Sequence, residues 1–179
     1  MRSYITLLTL LTVLIAVALA QDKSVPTALG CYYSSPSGPS RLELATNSGF
    51  TTSGSTKAVF SYGIAKIKGK WLYRNPAAIA QLSDHRPTFT LVSQTDVSTQ
   101  AISLLRLEVK KDHREAQYIE VGAWSGAKVE DKNVLPVSVT RIPNSNNLTI
   151  VPQNDLPAGE YLLITDVGKG ADGYDFGVK

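Results

Sequence analysis

The chain is 179 residues long, 43% hydrophobic and 18% charged, with a formal net charge of +3 and one cysteine. So small a charge, with no basic run longer than Lys110-Lys111, excludes the electrostatic surface that nucleic acid or an anionic membrane would need. One cysteine excludes an internal disulfide, so burial alone must hold the fold together.

At the N-terminus, Arg2 leads into an apolar stretch from Ile5 to Ala20 that ends in Ala18-Leu19-Ala20 before Gln21. A basic start, an apolar centre and small residues two apart make a secretory signal peptide over residues 1–20, with cleavage after Ala20. The stretch is interrupted by Thr6, Thr9 and Thr12 and falls short of the ~20 apolar residues that span a bilayer, which argues against a retained anchor. Lipid anchoring at Cys31 is the other alternative. Ala28-Leu29-Gly30 makes a poor lipid-attachment signal, however, and ten polar or turn residues separate Cys31 from the apolar centre. The sequence therefore predicts a secreted or periplasmic protein with no membrane span after cleavage. Residues 21–28, polar and containing Pro26, form a flexible lead-in, and 29–179 form a single domain large enough for a real core. Loss of Arg2 with the leader takes the net charge from +3 to +2.

Beyond the lead-in, strand and turn signals alternate about every ten residues, the pattern of an all-β sandwich or barrel. A strand at 29–34 precedes a Ser/Pro/Gly turn at 34–40 and a return strand at 41–45, then a Gly/Ser/Thr loop at 47–56. Residues 58–67, rich in Val, Ile, Phe and Tyr, are punctuated by Gly69 before the 71–73 strand. The clearest hairpin joins 102–109 to 114–124 through a turn at 110–113. Its first arm alternates Leu105, Leu107 and Val109 against Arg106, Glu108 and Lys110, so one face is expected buried and one wet. Strands follow at 134–142, 148–151, 160–165 and 174–178, with a turn at 143–146. One segment is ambiguous. Asn75-Pro76 ahead of Ala77 to Leu82 supplies a helix cap, a first-turn proline and good helix formers, which on propensity favours a two-turn helix.

Leu156-Pro157-Ala158-Gly159-Glu160-Tyr161 has the form of a tyrosine corner, where the chain crosses between sheets and the tyrosine hydroxyl bonds back to nearby backbone. This makes the expected fold an Ig-like antiparallel β-sandwich. Cys31, in the apolar run Leu29-Gly30-Cys31-Tyr32-Tyr33, reads as a small buried thiol; interchain pairing is the alternative.

Gly30-Cys31-Tyr32-Tyr33, then Leu105-Arg106-Leu107 with Lys111-Asp112 and Arg114-Glu115, then Pro157 with Gly159-Glu160-Tyr161, and Tyr174 with Phe176, fall in one order. Together they resemble a family of uncharacterised secreted bacterial proteins of Acidobacteria type, over roughly residues 29–178. The resemblance implies no activity. Its opening strand carries an apolar residue where this chain has Cys31, which implies that the thiol is not needed. It also implies that 77–82 pairs with 87–92 as a hairpin, against the helix reading.

No constellation in the chain marks out a site of chemistry. Both histidines lie in Asp-His-Arg, at Asp84-His85-Arg86 and Asp112-His113-Arg114, and could in principle offer a metal four ligands. Each lies at an expected turn beside an arginine, which discourages a cation. Trp124-Ser125-Gly126 is no nucleophile elbow, and no spacing among fifteen acidic residues marks out a glycosidase pair. Gly168-Lys169-Gly170-Ala171-Asp172-Gly173 lacks the spacing of a phosphate loop and the acidic run of a calcium loop. Residues 111–115 read as a solvated turn with weak local ion pairs. Arg106 reads as a cross-strand partner of a carboxylate such as Glu115. Tyr32, Tyr33, Tyr62, Trp71, Tyr73, Tyr118 and Trp124 could form a stacking surface for sugar, although Tyr33, Phe60, Phe89, Trp124 and Phe176 are expected to pack inside. No catalytic, cofactor or metal residues are assigned, and no cofactor is expected. The sequence points to a non-enzymatic structural or protein-interaction module of the cell envelope, its partner an envelope protein or a glycan; a carbohydrate- or small-ligand-binding module using exposed aromatics is the alternative.

Overall fold

A computed structural model describes residues 26–45, 47–53, 67–122, 126–129, 133–165 and 173–179. In chain order the described residues form β1 (Gly30–Ser35), β2 (Gly38–Arg41), β3 (Leu44–Ala45), β4 (Asn47–Ser53), β5 (Ile67–Arg74), β6 (Gln81–Leu82) and β7 (Phe89–Val92). After a single 3₁₀ turn (Thr99–Ala101) come β8 (Ser103–Val109), β9 (His113–Gly122), β10 (Gly126–Val129) and β11 (Val134–Leu135). The last four are β12 (Val137–Arg141), β13 (Leu148–Pro152), β14 (Gly159–Ile164) and β15 (Gly173–Val178). The protein is all-β, as its strand-turn rhythm requires. The leader, Phe60, Tyr62, Trp124-Ser125, the 168–172 loop and the Tyr118 side chain lie outside what is described.

The strands form two sheets. One runs β12-β13-β7-β1-β2; the other runs β3-β15-β14-β8-β9-β5-β4, with β10 on β9, β11 on β8 and β6 on β15. Among the described residues every pairing except the parallel β6–β15 is antiparallel. The sheets face each other across a core in which Cys31, Phe89, Leu91, Leu148 and Ile150 meet Leu104, Tyr161, Leu163, Phe176 and Val178. The Phe176 ring anchors it, 4.8 Å from Phe89 and stacked on Tyr161 at 5.4 Å, offsets typical of favourable aromatic pairs.

The second sheet is more than one leaf of a sandwich. Its path ends in β3 and β4, which Thr46 alone separates in sequence, so the sheet curls until its two ends meet. Inside the curl lies a second cluster, Tyr73, Leu105, Leu107, Ala116, Leu162 and Ile164, with Trp71 and Val134 packed against it. Strands β8 and β14 therefore bury side chains on both faces. Leu104 and Leu163 point to the sandwich, Leu105 and Leu162 to the barrel, and all four are fully buried. This explains why Leu162-Leu163-Ile164 is a continuous apolar run rather than an alternating one. It also corrects the expectation of one wet face on β8. Leu104 is buried on that face and only Arg106 and Glu108 reach water, while Val109, on the supposed dry face, is 49% exposed.

Three local expectations change for identifiable reasons. Residues 47–53 are a strand: the small Gly, Ser and Thr residues pair with β5 across a bulge between Asn47 and Gly49. The 134–142 strand is two strands, because Pro136 has no N–H to continue a ladder. β11 stays on β8 while β12 crosses to β13 in the other sheet, and the Pro136 carbonyl accepts from Gln153 N at 3.0 Å. Residues 77–82 form neither the helix nor a hairpin with 87–92. Their only strand, β6, lies along β15, while β7 pairs with β1 and β13. The one carbonyl here that a helix capped by Asn75 would bond internally, Asn75 O, is taken by Arg114 instead; Arg114 also bonds Arg74 O, and Ala78 N donates to Glu160.

Candidate functional site at the barrel mouth

Strand alternation carries three charged side chains into the closed end of the barrel. Glu160 shares its face of β14 with Leu162 and Ile164. Asp175 stands opposite Leu162 on β15, and Arg114 stands opposite Tyr73 on β5 and Val109 on β8. Arg114, 3% exposed, reaches Asp175 Oδ2 at 2.7 Å and Glu160 Oε2 at 3.3 Å, and both carboxylates are themselves buried. Its guanidinium also donates to Asn75 O at 3.0 Å and to Arg74 O at 3.1 Å. Glu160 accepts from Ala78 N at 2.7 Å and from Gln81 Nε2 at 3.0 Å. Taking three charges out of water is expensive, and this many charge-assisted bonds offset it. Arg114 is committed inward on every side: the network is a latch that holds the 75–81 segment across the barrel end. Asn75, held at φ 67, is the non-glycine residue that takes the turn there.

Above the latch opens a cleft of about 400 Å³, bordered by Glu43, Leu44, Asn47, Arg74, Ile79 and Asp175. Its rim is unusual for a polar floor. Ile79 is 82% and Leu44 56% exposed. Sequence reasoning misses all three latch charges. Arg114 is expected in a solvated turn, and the structure corrects this: it stands in β9 in phase with buried Ala116. The signal is present at Glu160 and Asp175, each an acid on a strand face otherwise occupied by Leu, Ile or Gly.

The remainder of the 111–115 cluster makes the local ion pairs expected, with Asp112 open to water but Glu115 only 13% exposed. On the outer face, Lys70 bonds Glu115 at 2.6 Å and Glu108 at 3.2 Å, and Lys110 also pairs with Glu108. His113 contacts Asp112 through Nδ1 at 2.6 Å and Glu115 through Nε2 at 3.3 Å. Asp112 and then Glu115 raise the His113 pKa above its usual value, and Lys70 is raised chiefly by Glu115. Burial works to raise Glu115, but Lys70 and His113 outweigh it and leave the carboxyl below its usual range. Glu115 is thus occupied, and Arg106 does not pair with it. Arg106 lies opposite Tyr161 and donates to Ala158 O at 3.2 Å, clasping the turn before β14.

The other histidine, His85, contacts Leu156 O through Nδ1 at 2.8 Å, while Asp84 accepts from Arg86 N at 2.8 Å. Among the described residues no group of three or more His, Cys, Asp or Glu side chains could hold a metal, so the two Asp-His-Arg tripeptides are not brought into one site. Cys31 is fully buried in the sandwich core, and burial pushes its thiol up to about 12 despite an opposing backbone hydrogen bond involving Tyr32. Tyr33, Phe89 and Phe176 pack as expected, and Tyr161 donates to Pro157 O at 2.5 Å where the chain passes from β13 in one sheet to β14 in the other.

Neither a scan of protein-family models nor a search among curated proteins gives a match to this chain.

Proposed function

We propose that the protein is an exported Ig-like β-sandwich, cleaved after Ala20, that serves the cell envelope by binding a protein partner and catalyses no reaction. In an Ig-like sandwich one sheet contains strands A, B, E and D and the other C, F and G, with a tyrosine corner at the start of F. The neighbours β1, β7, β13 and β12 fit the first sheet and β8, β14 and β15 the second, with Tyr161 near the start of β14. The strands between β1 and β7 are then an insertion, and part of it completes the barrel. The resemblance to secreted Acidobacteria-type proteins belongs to the same proposal. Its motif residues fall on β1, the β8–β9 hairpin, the start of β14 and β15.

The observation that carries the binding role is the rim of the barrel mouth. Two large aliphatic side chains, Ile79 and Leu44, stand bare to water beside Glu43 and Arg74. An apolar centre with a charged margin is the composition of a protein-docking patch. A sugar-stacking surface would need several exposed aromatics, and among the described residues Phe50 is the one large aromatic that is exposed. The engagement of His85, His113 and Cys31 described above supports the non-catalytic reading.

The test is retention of envelope proteins on the immobilised protein, compared with Ile79→Asp. A partner held by the wild type and lost by the variant, with the unfolding midpoint unchanged, is the expected result. A partner held equally by both, or by neither, overturns the proposal.

A further inference from the structure

A second cleft, of about 810 Å³, opens at one end of the sandwich between the β1–β2 edge and the chain that follows β7. It shares only Leu44 with the barrel mouth. One wall presents Arg41, at the end of β2 opposite Tyr32. The guanidinium is positioned by Gly30, whose φ of +143° is one that side-chain-bearing residues rarely adopt. A Cβ at Gly30 would stand 3.0 Å from Arg41 Nε and 3.4 Å from Nη2, so the bare backbone is what lets the fork lie there.

The Arg41 side chain is exposed, and among the described residues its guanidinium has no hydrogen bond and no ion pair. Among the described residues the one carboxylate lining this cleft, Asp96, is already held by Arg141 Nη2 at 2.5 Å. Glu43, two residues along the chain, borders the other cleft. Thr165 and Tyr174 also line the cleft, and among the described residues neither hydroxyl has a hydrogen-bond partner. An exposed guanidinium without an ion-pair partner among the described residues, close enough to Tyr174 to oppose the rise that burial gives its pKa, in a space of ligand size, is the composition of a small-molecule site.

We propose that this cleft binds a hydroxylated carboxylate, a sugar acid, with Arg41 holding the carboxylate and Tyr174 and Thr165 meeting its hydroxyls. The planar fork matches a carboxylate through two parallel bonds. The single positive charge of the Arg41 guanidinium balances a monoanion and leaves a phosphate dianion half neutralised. The site meets the docking rim only at Leu44 and uses neither Ile79 nor the latch, so either proposal can fail without the other.

Isothermal titration calorimetry of the purified protein with sodium glucuronate, glucose and inorganic phosphate tests it. Saturable binding of glucuronate is expected, with glucose and phosphate each at least roughly tenfold weaker, the scale set by a charge-assisted pair. Arg41→Gln should weaken glucuronate by roughly tenfold or more, and Tyr174→Phe by roughly three- to tenfold. Ile79→Asp should leave it unchanged. Absence of saturable glucuronate binding, equal binding of glucose or phosphate, or an unchanged affinity in Arg41→Gln or Tyr174→Phe overturns the assignment.

Discussion

Arg114 lies between two carboxylates and two backbone carbonyls with almost no water to share the charge. Replacing it with methionine fills much of the volume but leaves Glu160 and Asp175 buried without a cation. The expected loss is about 3–5 kcal/mol of stability, read from the denaturant midpoint. A loss under about 1 kcal/mol would show that the carboxylates find water and that the latch is not tight. Tyr161 tests a smaller quantity. Its ring is fully buried and its hydroxyl has one backbone acceptor, so Tyr161→Phe removes one part-buried hydrogen bond while keeping the ring. About 1–2 kcal/mol should be lost, and an unchanged midpoint would remove the corner from the account of stability. The two residues also mark how far sequence reading reaches. Tyr161 is recognisable because its motif is local, with the turn residues and the ring within six positions. Arg114 is not, because its partners lie 46 residues away in Glu160 and further still in Asp175, and because its neighbours in sequence belong to a solvated turn.

Most strands are legible from alternation and turn residues alone, and the failures occur where the tertiary environment replaces a local preference. The 75–82 segment has a helix cap and helix-forming residues, yet its backbone groups are bonded by Arg114 and Glu160 and its end is drawn along β15. That docking depends on Gly177. A Cβ there would collide with the Gln81 carboxamide, which bonds Glu160 and Ala78 O. The side chain can swing away, so Gly177→Ala should fold, with Gln81 displaced and about 1–2 kcal/mol lost with its two bonds. Faster hydrogen exchange at Gly177 and Lys179, whose amides bond to Ala80 O and Leu82 O, would report the loosened β6. Unchanged exchange there would mean that β6 is held by its ladder and not by the glutamine.

At the scale of the molecule, the sandwich and the barrel share a wall. Leu163 fills one core and Leu162 the other, one peptide bond apart on the same strand. Neither core can be lost without exposing the back of the other. Leu162→Ala and Leu163→Ala should therefore each cost about 2–5 kcal/mol and leave unfolding a single transition, identical by tryptophan fluorescence and far-UV circular dichroism. Two separated transitions in either variant would show that the cores melt independently. This architecture is only half visible in the sequence. A sandwich follows from the rhythm of the strands and from the tyrosine corner. The barrel depends on β3 meeting β15 across more than a hundred residues, a closure that no local pattern announces.

The pairing of β15 sets the order in which the fold can be completed. This strand follows all the others in the chain, yet it supplies Phe176 and Val178 to the sandwich, Asp175 to the latch, and the surface on which β3 closes the barrel. A polypeptide delivered from its N-terminus carries two unfinished cores until residues 173–178 arrive. For a protein proposed to be exported, that is a built-in delay. The strand that completes both cores follows every other described strand, so the proposed export would keep the chain pliable until residues 173–178 have emerged.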